Sequence, residues 1–112
     1  MIEKVVLDYL SSNVTEAVSM EVDKTMPEEF YVLEKTGSSE DEGIFHSTFV
    51  IQSYAGTLYR AAEMSEAIRG LMVYGLIEEP EIVSVELNSE YNFTDTATKK
   101  YRYQAVFDIV HY

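Results

Sequence analysis

Between Ile44 and Tyr74 the spacing of hydrophobic residues changes once, and that change decides the class of fold. From Ile44 through Ser53 the side chains alternate, with Phe45, Ser47, Phe49 and Ile51 to one side and Ile44, His46, Thr48 and Val50 to the other. This is the period of an extended strand, here with both faces partly covered. From about Thr57 to Tyr74, Leu58, Ala61, Ala62, Ser65, Ile68 and Met72 fall on one stripe, with Glu63, Glu66 and Gly70 opposite. This is the period of a helix. Thr57 is placed to cap its start and Gly75 to end it in a left-handed conformation. Gly70, inside the run, costs about 1 kcal/mol relative to Ala and fits either a close backbone contact or a tolerated surface position.

The flanking segments repeat the two periods. Ile2, Val5, Val6, Tyr9 and Leu10 mark a short first helix, which must dock on something to be stable. Val18, Met20 and Val22 alternate with polar residues as a half-buried strand does, up to Pro27. Phe30–Leu33 reads as a second strand, and Thr36–Gly43 as an exposed turn or flexible loop. Ile82–Leu87 reads as a further strand, Asn88–Lys100 as a polar connection, and Tyr101–His111 as the clearest strand of the chain. The expected fold is α+β, in one domain over residues 1–112. An antiparallel or mixed sheet of four to five strands carries a short N-terminal helix and one long helix on one face.

Charge and chemistry narrow the function. Twenty Asp and Glu against eight Lys and Arg give a net charge of −12, a surface that repels phosphate. There is no cysteine, hence no disulfide, thiolate metal site or thiol nucleophile. No apolar run is long enough to cross a bilayer, and the first residues lack the pattern of a signal peptide. No Gly-rich phosphate loop, nucleophile elbow or His-Glu-x-x-His helix occurs. His46 and His111 sit in strands without partners at ligand spacing, Glu40, Asp41 and Glu42 lack the pattern of a calcium loop, and Glu78, Glu79 and Glu81 have no evident cleft. The expectation is therefore a protein-binding domain with no catalytic residue, no cofactor, no metal and no membrane. The aromatic residues supply the candidate surfaces. Tyr101, Tyr103 and Phe107 repeat on one face of the last strand, which fits either a partner-facing surface or a Tyr-rich core; together with Ile109 they form the candidate subunit interface. Gly37, Glu40, Asp41 and Glu42 in one loop, and Tyr91 and Phe93 in another, are the candidate partner contacts. Both loops are expected to exchange their amide hydrogens readily.

Several local patterns resemble the tail-terminator and tail-completion proteins of bacteriophages with long, non-contractile tails. The resemblance spans nearly the whole chain. It rests on the Ile2–Leu10 helix, the Pro27-Glu28-Glu29-Phe30-Tyr31-Val32 lead into a strand and the Lys35-Thr36-Gly37 turn. The Phe49–Ala55 strand running straight into an Ala-rich helix and the closing Tyr101–Val110 strand complete it. Tyr54 stands where many relatives are expected to carry tryptophan, and the acidic Ser38–Glu42 stretch departs from the pattern. The resemblance implies a homo-oligomeric ring of six copies on the head-proximal end of the tail tube, assembled in the bacterial host cytoplasm and carried in the virion tail. The partners it implies are the tail tube protein and a head-completion or connector protein, with DNA only as cargo passing through the channel. No catalytic residues are carried over. The competing readings are a head–tail connector or other minor virion protein, a small-ligand binding domain or enzyme with a pocket between sheet and helix anchored on His46 or His111, and a regulatory partner whose acidic face mimics nucleic acid. Ring closure is expected to use the last strand as a free sheet edge.

Overall fold

The computed structural model describes all residues from Met1 to Tyr112. In chain order the elements are α1 (Ile2–Asn13), β1 (Ala17–Ser19), β2 (Phe30–Asp41), β3 (Ile44–Ala55), α2 (Leu58–Gly70), β4 (Ile82–Asn92) and β5 (Tyr101–His111). A π-helical turn, Leu71–Gly75, and a short 3-10 turn, Leu76–Glu78, extend α2. The five strands form one mixed sheet in the order β1-β2-β3-β5-β4, parallel between β1 and β2 and antiparallel elsewhere. The α+β class, the short first helix and the long second helix are as the sequence implies. No helix is long and apolar enough to cross a membrane.

The core lies between one sheet face and the helices. From the sheet come Tyr31, Leu33, Phe49, Ile51, Phe107 and Ile109; from α1 Ile2, Val6 and Leu10; from α2 and its extension Ala61, Met64, Ile68, Met72 and Leu76. The helical stripe differs from the sequence reading at two positions. Met64, in the middle of the helix, is buried, whereas Leu58 in its first turn is exposed. Thr57 caps α2 as expected, its hydroxyl accepting from the Arg60 amide at 3.1 Å. Arg60 then gathers three carboxylates, Glu16 at 2.8 Å, Glu29 at 3.0 Å and Glu63 at 3.3 Å, which ties the segments before β1 and β2 to α2.

Several boundaries are corrected. The stretch read as a loop from Thr36 to Gly43 is mostly strand: β2 continues past a bulge at Thr36 and pairs as far as Asp41 with Ile44. Only Glu42 and Gly43 turn the chain, both at positive φ (52° and 85°), the backbone of a tight two-residue hairpin. The alternation of β3 extends the pairing, since its partner strand needs no apolar residues to supply backbone hydrogen bonds. The strand expected through Val18, Met20 and Val22 shrinks to Ala17–Ser19, leaving Met20 and Val22 exposed. β4 runs on to Asn92, beyond the expected end at Leu87. Gly75 does not adopt a left-handed conformation; the chain keeps right-handed geometry through it.

Tyr31 gives the core a measurable pH signature. Its hydroxyl donates to the Met64 carbonyl at 3.1 Å in the buried interior, and desolvation, then the charge of Glu16, pushes its ionisation well above the ordinary phenol range. Tyr9, which donates to the Leu71 carbonyl at 2.9 Å, is pushed the same way by burial and then by Glu78 and Glu79. A raised folded-state value stabilises the protein below the unfolded value of about 10 and loses that contribution as pH rises toward the folded value. The urea midpoint should therefore fall above about pH 10. Tyr31→Phe should cost about 1 kcal/mol at neutral pH, and the gap to wild type should narrow as pH rises. A gap that stays constant between about pH 8 and 11 would contradict this account.

Candidate interaction surfaces

The aromatic face proposed as a subunit interface is the core face. Phe107 is 0% exposed and Ile109 is 1% exposed, beneath the helices, and Tyr101 and Tyr103 pack half-buried against the same cluster. None of Phe107 or Ile109 is available to a partner. The reason lies in the position of β5: it is an interior strand, paired with β3 on one side and β4 on the other, so it offers neither a free edge nor an open apolar face. The sequence allowed a Tyr-rich core as the alternative, and that alternative is the one realised.

The face of the sheet turned away from the helices carries a different set of residues. On β5 these are Arg102, Gln104, Val106, Asp108 and Val110, and on β3 Thr48, Val50, Gln52 and Tyr54, paired across the two strands. They form a directional chain of hydrogen bonds. Arg102 Nη1 donates to the Tyr54 hydroxyl at 2.8 Å, which donates to Gln52 Oε1 at 3.2 Å; Gln52 Nε2 donates to Gln104 Oε1 at 2.9 Å, and Gln104 Nε2 to the Tyr91 hydroxyl at 2.5 Å. Tyr54, Gln52 and Gln104 each accept one bond and donate the next, so the ladder links five side chains across β3, β5 and β4. Sequence reasoning missed this face by following the aromatic one. The alternation of Arg102, Gln104, Val106 and Asp108 was the available signal.

Tyr91 and Phe93 are exposed, as expected of partner contacts, although Tyr91 belongs to β4 rather than to a loop. Their rings meet edge to face at 6.0 Å, and the Arg102 guanidinium lies over Phe93 at 4.6 Å from the ring centre. Glu40, Asp41 and Glu42 are exposed at the hairpin tip, with Gly37 further back on β2. At the opposite end of the same strands a cleft of about 550 Å³ is floored by Phe30 and Tyr54, stacked at 4.5 Å, and bordered by Lys24, Lys99, Lys100 and Arg102. β4 forms one edge of the sheet, with no strand on its outer side, and exposes Val83, Leu87 and Tyr91; the other edge is the three-residue β1 and, beyond Val32, the outer side of β2.

The histidines do not converge. His111 is buried on the core face, bonded to the Ser47 hydroxyl at 2.7 Å and stacked on Phe45, whereas His46 is exposed on the other face. The pleat places the two rings on opposite faces of the sheet. No three His, Asp or Glu side chains are grouped so as to hold a metal ion. No protein-family model matches the chain, and no curated protein matches it.

Proposed function

We propose that this chain is the subunit of a ring that caps the head-proximal end of a phage tail tube, ends tube polymerisation and presents the docking surface for the head. The observation that carries the reading is the free edge of β4. Eleven residues long and without proline, it exposes backbone donors and acceptors beside Val83, Leu87 and Tyr91. Such an edge is an association hazard in a monomer and an asset in a subunit that must join others. Bulges at Val83 and Asn88 interrupt it and leave Ser84–Leu87 as a regular stretch between them. The resemblance in element order supplies the kind of assembly, and the net charge of −12 suits a channel through which DNA slides without counterion release to hold it.

In this reading the β4 edge takes a strand of the tube, and six copies surround the channel. Adding the purified protein to polymerising tail tube subunits should shorten the tubes and leave a density at one end by negative-stain electron microscopy. Tubes that keep growing, with bare ends, in the presence of excess protein would refute it.

A further inference from the structure

We infer that the cleft at the open end of the sheet receives the acidic hairpin tip of a second copy of this chain, so that subunits join head to tail. The inference rests on the ring reading and deepens it by naming two surfaces that meet.

Cations are scarce in this chain and unevenly used. Of the eight Lys and Arg residues, Lys4, Lys35, Arg60 and Arg69 each have a carboxylate within ion-pair distance. Lys24, Lys99, Lys100 and Arg102 all border the cleft, and none of them has such a partner. Asp23, Glu28 and Asp95 line the same cleft, so four cations face three carboxylates and the lining carries a net charge of +1 on a chain of net charge −12. Two of these carboxylates, Asp23 and Asp95, are engaged by local turns. Asp23 accepts from the Thr25 amide at 2.7 Å and its hydroxyl at 2.8 Å, and Asp95 from the Ala97 amide at 3.0 Å. These bonds hold both carboxyls below their usual range. Arg102 is fixed in place, its Nε on the Phe93 carbonyl at 2.6 Å and its Nη1 on the Tyr54 hydroxyl at 2.8 Å, which leaves Nη2 free for an incoming carboxylate. A guanidinium positioned before binding loses little side-chain entropy when it binds.

The matching anion is on the same chain. Glu40, Asp41 and Glu42 are exposed and unpaired at the hairpin tip, where the two-residue turn keeps the strand pair narrow. β2 begins at the cleft with Phe30 and ends at the tip with Asp41. At 3.3 Å per residue the two lie roughly 36 Å apart, so no tip reaches its own cleft. The contact is therefore intermolecular. A cleft of about 550 Å³ lies within the size range that encloses a ligand of a few residues. Tip and cleft are different surfaces, so the contact is heterologous and closes into a ring when the rotation per subunit divides a full turn. It also leaves the β4 edge, which runs along the strands, free for the tube.

The absence of native cysteine makes the test clean. Asp41→Cys and Lys100→Cys variants, both at exposed positions, are mixed under mild oxidation with and without tail tubes. They should give a disulfide-linked heterodimer at least about tenfold above the yield from Lys4→Cys mixed with Lys100→Cys, the difference expected of about 1.4 kcal/mol of specific contact. In parallel, Lys99→Glu/Lys100→Glu and Glu40→Lys/Asp41→Lys should each weaken self-association about tenfold by sedimentation, and an equal mixture of the two should restore it. Cross-linking at the control level, or charge-reversed variants that associate as wild type does, would overturn the inference; if those variants still cap tubes, the ring reading survives it. Capture of an acidic peptide without tip-to-cleft cross-linking would assign the cleft to another partner and overturn the self-contact. Cross-linking as described with no capping of tubes would keep the contact and sink the ring reading.

Discussion

Phe107→Asp is expected to yield no folded protein, whereas Val83→Asp folds with a urea midpoint close to wild type and fails to cap tail tubes. Phe107 is 0% exposed, at the centre of the cluster beneath the helices and opposite Phe49 in the ladder. Placing a carboxylate there removes a large aromatic contact and buries a charge with no partner in reach, which costs roughly 5 kcal/mol or more and is comparable to the whole stability of a domain of this size. Val83 is 42% exposed at a bulge of the free edge, where a substitution costs about 0.5 kcal/mol. A charge there opposes an incoming strand without disturbing the core. Circular dichroism and urea unfolding separate the two cases. A soluble, cooperative Phe107→Asp protein would mean that β5 does not face the core, and a Val83→Asp protein that caps tubes normally would remove the edge from the proposed function.

The same two residues show what the sequence could reveal and where it stopped. Periodicity located β5 to the residue and β3 to within two, and found both helices, although α1 continues three residues past Leu10 to Asn13 and the α-helical part of the second ends at Gly70 rather than Tyr74. It also grouped Tyr101, Tyr103 and Phe107 correctly on one face. Which way that face points is not in the spacing: core and interface demand the same residue types, and the packing of α1 and α2 on that face decides between them, while the strand order makes β5 interior. The polar halves of β2 and β4 read as loops for a related reason. Their backbones are held by pairing with β3 and β5, so Ser38, Ser39, Glu40 and Ser89 carry no apolar signal of being strand. The cleft lay outside sequence reasoning altogether. It brings Lys24 together with Lys99, Lys100 and Arg102 across more than half of the chain, and no local pattern records that approach.

Gly75 offers the sharpest test of how α1 is held. Intrinsic propensity favours Ala over Gly in a helical turn by about 1 kcal/mol, and Gly75 has an ordinary right-handed backbone, so Gly75→Ala would be stabilising if nothing else intervened. A Cβ at that position, however, would fall within the van der Waals envelope of the Tyr9 hydroxyl. That hydroxyl donates to the Leu71 carbonyl at 2.9 Å, at the start of the π-helical turn that ends with Gly75 itself. Either Tyr9 swings aside and gives up the bond, or α1 lifts from the end of α2 and loosens the contacts of Val6 and Leu10. Gly75→Ala is therefore expected to destabilise by about 2 kcal/mol. Tyr9→Phe alone should cost about 1 kcal/mol for the lost hydrogen bond. In the Tyr9→Phe background the hydroxyl is gone and only the ring edge remains, with Tyr9 Cζ 3.2 Å from the added Cβ. There Gly75→Ala should cost well under half as much, a coupling of about 1 kcal/mol or more across the cycle. Urea unfolding of the four proteins measures it, and strictly additive costs would show that Gly75 serves the backbone of the turn and not the docking of Tyr9.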